Sequence, residues 1–297
     1  MRKFIVNTPK TQGEKLSKVV CDKFKNLPYG VFCKALRNKD IRVNEVKVNK
    51  DCNVYNGDSV TIYIKEAILY GYDEKLYIAY EDENILVVYK DKGILSNNET
   101  GKVLDEPTFE DIVKTSLGDN IKICHRLDRN TDGLVIFSKN NNTYLELLNA
   151  FKESLIIKKY ITFVSNPNFK SNKEILKAYI FTDKKKGFSY ISETLKKGYE
   201  SIITEYEVLE KYNDYAKLKV ILHTGKTHQI RAHLSFLNHH IIGDSKYGIN
   251  DINDKFKKYK QCLTAVEYTF KFNKNSTLNY LNNVKITLDD NKITKLS

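Results

Sequence analysis

The densest cluster of reactive side chains in the sequence is the segment from His125 to Phe137. Asp128 stands there between Arg126 and Arg129, and apolar stretches on both sides predict two strands. Asp128 is therefore expected on the connecting loop, a place where catalytic groups are often displayed. Nearby guanidinium groups favour the ionised carboxylate, which can act as a nucleophile or a base. A simple ion-pair cluster on a loop is the alternative interpretation.

A second basic segment begins at Gly225-Lys226-Thr227. It resembles the end of a phosphate-binding P-loop, but that motif needs a glycine where Val220 stands, so the P-loop is excluded. Thr227 instead predicts the N-cap of a helix, on which His228 and Arg231 share one face. Arg231 could there meet a carboxylate from another loop, or form a purely structural salt bridge.

The sequence gives no pattern for a metal or an organic cofactor. His228 and His233 are five positions apart, and the glutamate of a zinc-binding helix is missing. The five cysteines include no Cys-x-x-Cys pair, and no Gly-x-Gly-x-x-Gly segment occurs. We therefore expect no metal and no cofactor, which disfavours a metal-dependent nuclease.

Positive charge is concentrated near the N-terminus. The chain carries a net charge of +12, and residues 1–65 hold 14 basic and 6 acidic side chains, which gives +8. Apolar spacing predicts helices over 14–27 and 31–37, and alternation predicts short strands up to residue 64. Such a small basic module favours a polyanionic partner, with a solvated lysine-rich surface as the alternative.

The remainder of the chain, residues 66–297, consists mainly of strand-like runs separated by few helices. This pattern predicts an α+β fold with a mixed, largely antiparallel sheet. No apolar stretch approaches the length of a membrane span, and the N-terminus does not resemble a signal peptide. With scattered cysteines, the cytoplasm is the expected compartment.

Residues 35–44 and 57–60 carry a resemblance to the small RNA-binding domain of ribosomal small-subunit protein four. The resemblance covers about residues 12–65 and implies that the pair of helices contacts RNA. The basic residues that we expect to bind RNA in this module are Lys15, Lys18, Arg37, Lys39 and Arg42.

Three further stretches resemble the RluA-type RNA pseudouridine synthases. They are 81–96, the long motif 125–139, and 224–233 with its continuation 242–248. The resemblance implies isomerisation of uridine to pseudouridine, without a cofactor, most plausibly in large-subunit ribosomal RNA. Transfer RNA is the alternative substrate. A non-catalytic RNA-binding protein that keeps the fold is the alternative function.

The same resemblance assigns roles to individual residues. Asp128 falls on the catalytic aspartate, Arg231 on its basic partner, and Tyr160 on the tyrosine that stacks on the uracil. Arg126 falls on the side chain that fills the space left by the flipped base, and Leu263 on an apolar residue beneath the tyrosine. Further residues expected to contact the substrate are Arg129, His228 and Lys226.

The chain departs from the family pattern at a few positions. The family often has serine where Asp132 stands and usually has histidine where Thr264 stands. Neither change removes a reacting group.

Taken together, these features predict a monomeric enzyme with an RNA-binding domain over 1–65 and a catalytic domain over 66–297.

Overall fold

The computed structural model describes residues 2–25, 27, 29–64, 69, 76–98 and 106–296. The chain forms two compact units. The first unit comprises Met1–Lys75 and Asn97–Asp119, and the second unit comprises Leu76–Ser96 and Asn120–Ser297. The domain boundary at residue 65 stays a prediction, and the grouping of 97–119 with the N-terminal unit is a feature that the sequence did not indicate.

The first unit contains a small antiparallel sheet and three helices among its described residues. The sheet has the strand order β1-β6-β3-β4, and β2 pairs separately with β5. The elements are β1 (Arg2–Ile5), β2 (Glu14–Lys15), α1 (Leu16–Lys23), α2 (Tyr29–Arg37), β3 (Ile41–Val43), β4 (Val46–Val48), β5 (Asn53–Val54), β6 (Ser59–Ile62) and α3 (Phe109–Leu117).

The first helix is shorter than the sequence pattern predicts. Glu14 and Lys15 pair with β5 as a strand, so the helix begins only at Leu16 and ends at Lys23. Leu16 and Val20 are completely buried, as expected for apolar residues four positions apart on one helical face. The prediction of helix over 14–27 was therefore wrong at both ends: Glu14 and Lys15 pair as a strand, and the helix ends at Lys23 because Phe24 leaves the helical conformation, with φ at −117° and ψ at 76°.

The second unit is built on one large sheet. Its elements are β7 (Ile78–Glu81), β8 (Ile85–Lys90), β9 (Lys122–Ile123), β10 (Asp132–Ser138), α4 (Asn141–Lys152), β11 (Ile156–Ser165), β12 (Lys173–Asp183), β13 (Phe188–Ser192), β14 (Glu200–Lys211), β15 (Tyr215–Leu222), α5 (Gln229–Phe236), α6 (Asn250–Lys255), β16 (Leu263–Phe270) and β17 (Lys285–Thr287).

Eleven strands of the described residues join this sheet in the order β13-β12-β14-β15-β11-β16-β10-β8-β7, with β17 on β16 and β9 on β10. Strands β10 and β16 run parallel, and the other described pairings in the sheet are antiparallel. This confirms the predicted α+β class with a mixed, largely antiparallel sheet. In the described part of the chain, no helix is long and apolar enough to cross a membrane.

The parallel contact between β10 and β16 determines where the Asp128 loop ends. Gly133 lies opposite Ala265 with φ at 118°, a conformation that residues with a side chain rarely adopt. A Cβ atom on Gly133 would lie 2.2 Å from the carbonyl oxygen of Ala265. Glycine therefore lets the two strands approach closely at the point where the loop enters the sheet.

Candidate active site

Asp128 lies on the loop between β9 and β10, as the sequence predicts. The preceding residue Leu127 is buried, while the Asp128 side chain remains 22% exposed. The carbonyl oxygen of Asp128 accepts a hydrogen bond from the backbone N–H of Thr131 at 3.0 Å. This turn and the buried leucine hold the carboxylate at the surface of a cavity.

Ser96, which follows β8, and Lys90, the last residue of β8, clamp the Asp128 loop through hydrogen bonds to its backbone. Ser96 Oγ donates to the carbonyl oxygen of Leu127 at 2.7 Å and accepts from the N–H of Leu127 at 3.0 Å. Lys90 is completely buried, and its ammonium donates to the carbonyl oxygens of Asp91, Ile94 and Arg129. Burial lowers the pKa of Lys90 to about 8. The clamp fixes the backbone on both sides of Asp128.

Arg231 reaches the carboxylate from helix α5. Its Nη1 atom donates to Oδ2 of Asp128 at 2.8 Å. Its Nε and Nη2 atoms donate to the two oxygens of Asp244 at 2.6 Å and 2.9 Å. Because the guanidinium is planar and rigid, the bidentate bond with Asp244 through Nε and Nη2 fixes the orientation in which Nη1 meets Asp128.

Asp244 forms the buried base of this ion triad. It is completely buried and also accepts hydrogen bonds from the backbone N–H groups of Lys246 and Tyr247. Burial, the largest single effect, would raise the pKa of Asp244, but the hydrogen bonds and charge of Arg231 together with the two backbone N–H groups lower that pKa overall. Burial likewise opposes the charge of Arg231, and the bond with Asp244 nevertheless raises the pKa of the guanidinium. Both groups remain charged at neutral pH.

The start of helix α5 differs from the predicted cap. Thr227 does not cap the helix; His228 occupies the N-cap position in the left-handed conformation, with φ at 57°, and makes no side-chain cap bond. Gln229, the first residue of the helix, binds the preceding loop instead: its Oε1 atom accepts from the N–H of Lys226 at 3.1 Å and from Thr224 Oγ1 at 3.0 Å. The predicted cap at Thr227 was therefore wrong, although the predicted helix is present.

A cavity of about 290 Å³ opens beside Asp128. Tyr160 and Leu263 line it, and both are buried. They lie on the adjacent antiparallel strands β11 and β16. Burial, together with the charge of Asp128, raises the pKa of Tyr160, so its hydroxyl is protonated at neutral pH. The volume of the cavity is at the lower end of the range for small-molecule pockets, which suits a single nucleoside rather than an RNA double helix.

Two histidines near the carboxylate are neutral at pH 7 because burial lowers the pKa of each. Burial lowers the pKa of His125 to about 3, and its Nε2 atom accepts from the N–H of Ile136 at 3.0 Å. His228 lies with Nε2 at 3.9 Å from Asp128 Oδ2, and burial lowers its pKa even though Asp128 opposes the shift. Both side chains line the cavity, and the hydrogen bond from Ile136 additionally ties His125 to the backbone of β10.

The structure brings most of the predicted substrate-contacting residues to one cavity. Arg126, Lys226 and His228 line it together with Asp128 and Arg231. Lys226 also forms an ion pair with Glu200. Arg129 is not part of the cavity wall; its Nη1 donates to the carbonyl oxygen of Gly93 at 3.1 Å.

The basic candidates of the first unit lie on its surface. Lys15, Lys18, Arg37 and Lys39 are exposed, and Lys18 pairs with Glu14 at 2.8 Å. Arg42 is half-buried, and its guanidinium lies 5.1 Å from the centre of the Tyr63 ring. RNA binding by these residues stays a prediction.

Sequence reasoning missed two residues of the site. Asp244 lies in the stretch 242–248, but the sequence assigned it no function, because its pairing with Arg231 depends on tertiary structure. Lys158 also lines the cavity, and a sequence signal existed for it, since residues two apart on a strand share a face and Tyr160 is two positions later. Within the described residues, no group of three or more metal-ligating side chains could hold a metal ion.

The comparisons with known proteins agree on one family. The model of the RNA pseudouridylate synthase family matches residues 84–236. An uncharacterized RNA pseudouridine synthase of Mycoplasma capricolum is 33% identical, with 99% of this chain and 100% of that protein covered. Ribosomal large subunit pseudouridine synthase D of Buchnera aphidicola subsp. Baizongia pistaciae is 30% identical, with 91% and 85% covered.

A solved structure shows the same fold. The human RNA pseudouridylate synthase domain containing 1 protein superposes with a TM-score of 0.59 at 21% identity, covering 73% of this chain and 84% of that one. The matched sequence range contains the Asp128 loop, β11 and all of α5. The cavity is therefore built largely from the part of the chain that the family model recognises.

Proposed function

The chain belongs to the RNA pseudouridylate synthase family, and on that premise we propose that it converts uridine in large-subunit ribosomal RNA to pseudouridine with Asp128 as the catalytic carboxylate. It is an RNA pseudouridine synthase and thus an isomerase. The reaction cleaves the bond between the base and the sugar, rotates the base, and joins it again through carbon.

The contact between Asp128 and Arg231 is the observation that carries the catalytic assignment. The carboxylate faces the cavity and accepts a 2.8 Å hydrogen bond from Arg231 Nη1. Asp244 and the Lys90 clamp hold both partners in place. The guanidinium thereby fixes the direction of the carboxylate, a group that can attack a carbon or remove a proton.

The cavity walls suit a single extruded nucleotide. A uracil in a stem is out of reach of the enzyme, so it must leave the stack and find replacement contacts. Tyr160 supplies an aromatic face for that base, and Leu263 supplies apolar packing on the adjacent strand. Arg126 is exposed at the rim, where its planar group can fill the space that the base leaves in the RNA.

Two observations favour ribosomal RNA as the substrate. Relatives named ribosomal large subunit pseudouridine synthase C and D match 90% and 91% of the chain, respectively. The N-terminal residues 1–65 carry +8, with 14 basic and 6 acidic side chains, and resemble an RNA-binding domain of a ribosomal protein. We assign this module to RNA docking and regard the monomer as the active form.

Tritium release tests the proposal directly, since pseudouridine formation frees the hydrogen at carbon 5 of uridine. Ribosomal RNA and transfer RNA without modifications, labelled at that position, would be incubated with wild type and with Asp128→Asn. Release from ribosomal RNA by the wild type alone is expected. Release by Asp128→Asn at the wild-type rate would refute the role of Asp128, and release from transfer RNA only would refute the ribosomal substrate.

A further inference from the structure

Lys158 is a buried cation on the cavity wall with no role in the arrangement described above. It is only 7% exposed and lies on β11, two residues before Tyr160. Within the described residues, no carboxylate forms an ion pair with it, and burial lowers its pKa. Burying a cation without a partner is energetically costly, and an anionic ligand in the cavity would offset that cost.

Among the residues that the structure describes, none provides a counter-charge for Lys158. The ring of Phe151 lies 5.9 Å from its Nζ atom, and the register places it opposite Leu222 on one side and Tyr268 on the other. Its neighbour His125 is neutral, as shown above. The cavity lining around Lys158 is thus aromatic and basic, and the Asp128 carboxylate belongs to the same lining.

The neighbouring residue Lys159, by contrast, has a carboxylate as its ion-pair partner. It points to the opposite face of the sheet, and its Nζ lies 2.7 Å from a carboxylate oxygen of Glu267. Lys158 and Lys159 are therefore adjacent in sequence but opposite in environment. One is paired away from the cavity, and the other lines the cavity without an ion-pair partner.

Gly225 keeps the approach to Lys158 open. A Cβ atom at position 225 would lie 3.3 Å from Lys158 Nζ, so a side chain there would crowd the ammonium. Gly225 also lines the cavity and is exposed. An anion entering past this residue could reach Lys158 without displacing a side chain at that position.

We infer that Lys158 binds the phosphate of the nucleotide whose base stacks on Tyr160. The two residues share one face of β11, and their Cα atoms are about 6.6 Å apart at the usual rise of a strand. A base on the tyrosine and a phosphate on the lysine are thus contacts that one nucleotide can make. A phosphate oxygen gains a charge-assisted hydrogen bond there, which a neutral uracil oxygen gains only in part.

The test compares Lys158→Met, Lys158→Arg and the matched control Lys159→Met. Each is made in the Asp128→Asn background, so that bound RNA is not converted, and binding to target RNA is measured against salt concentration. Losing one phosphate contact lowers the slope of log affinity against log salt by about 0.7–0.9. We expect that change for Lys158→Met, together with about tenfold weaker binding, near-wild-type binding for Lys158→Arg, and no change for Lys159→Met.

Competition with small ligands gives an independent readout in the otherwise wild-type enzyme. Uridine 5′-monophosphate and uridine 3′-monophosphate would be compared with uridine as inhibitors of tritium release. We expect one of the phosphates to inhibit better than uridine in the wild type and to lose that advantage in Lys158→Met. An unchanged salt slope in Lys158→Met would overturn the inference.

The inference rests on the RNA synthase function of this cavity but can fail separately from the choice of substrate. Salt-dependent binding needs no turnover, so a negative result leaves tritium release by the wild type intact. Thermal unfolding checks that Lys158→Met is folded, and no loss of stability is expected when an unpaired buried cation becomes apolar. Reduced turnover with unchanged binding of phosphate-bearing ligands would show a contact to the base and refute the phosphate site.

Discussion

Replacing Asp244 by asparagine tests whether the buried half of the ion triad determines the geometry of the site. The variant keeps the volume but leaves Arg231, itself only 5% exposed, without its bidentate partner. Removing one member of a buried ion pair costs about 3–5 kcal/mol because the other charge stays buried. We expect a loss of that size in the free energy of unfolding of Asp244→Asn.

Asp128→Asn is the matched control, since it removes the other carboxylate on the same guanidinium. The Asp128 side chain is 22% exposed, against 0% for Asp244, so water screens the pair and the expected loss is about 1 kcal/mol or less. Urea unfolding followed by circular dichroism measures both losses. Equal losses in the two variants would refute the distinction between a buried anchor and an exposed reacting group.

The acid dependence of stability gives a second check on Asp244. Its pKa is lowered in the folded state, so the stabilisation is fully present above the unfolded value of about 3.9 and is lost as the pH falls through the folded value. The difference between wild type and Asp244→Asn should therefore be constant near neutrality and shrink below about pH 4. A difference that grew towards acid would contradict the assigned direction.

Three further predictions concern other parts of the molecule. Tyr160→Phe keeps the aromatic ring, so KM should change little. If the tyrosine hydroxyl transfers a proton, kcat should fall about 10²-fold; an unchanged kcat would show that Tyr160 acts by stacking only. Lys90 has a folded pKa of about 8, below the unfolded value of about 10.4, so stability should rise by up to about 1.4 kcal/mol per pH unit between them, and Lys90→Met should abolish that rise. Neutralising Lys15, Arg37 and Lys39 together should lower the slope of log affinity for RNA against log salt by about 2. Neutralising the exposed run Lys184-Lys185-Lys186 should leave that slope unchanged. Equal reductions in the two variants would show that only the net charge of the protein matters.

The sequence predicted the site best where local pattern suffices. Strand signals around Asp128 indicated a displayed loop, and helical spacing put His228 and Arg231 on one face; in the structure both side chains lie near the Asp128 carboxylate. The α+β class followed from the run of alternating strands and is confirmed. Each of these inferences uses residues within a few positions of one another.

Local pattern failed where a distant segment competes for the same backbone. The first helix lost its start because Glu14 and Lys15 pair with residues about forty positions later. Thr227 has a side chain suited to an N-cap, but His228 in the left-handed conformation occupies that position, so Thr227 lies one residue before it. Helix ends depend on such backbone geometry and pairing, which residue propensities do not reveal.

Tertiary structure also explains two departures from the family pattern. Asp132 and Thr264 lie opposite each other on the parallel strands β10 and β16, and Thr264 Oγ1 donates to Asp132 Oδ1 at 2.8 Å. The two unusual residues therefore satisfy one another. Their separation in sequence gave no sign of this pairing.

By itself, the sequence determined the reacting residue types, their local elements and the concentration of positive charge in 1–65, because motif, periodicity and composition are properties of neighbouring residues. Only the tertiary structure decided that Arg231 is shared between Asp128 and Asp244, that Arg129 turns to Gly93, and that Lys158 lies unpaired in the cavity. Asp128 and Arg231 are 103 positions apart. Which charges meet, and which stay without a partner, depends on how the sheet brings such distant segments together.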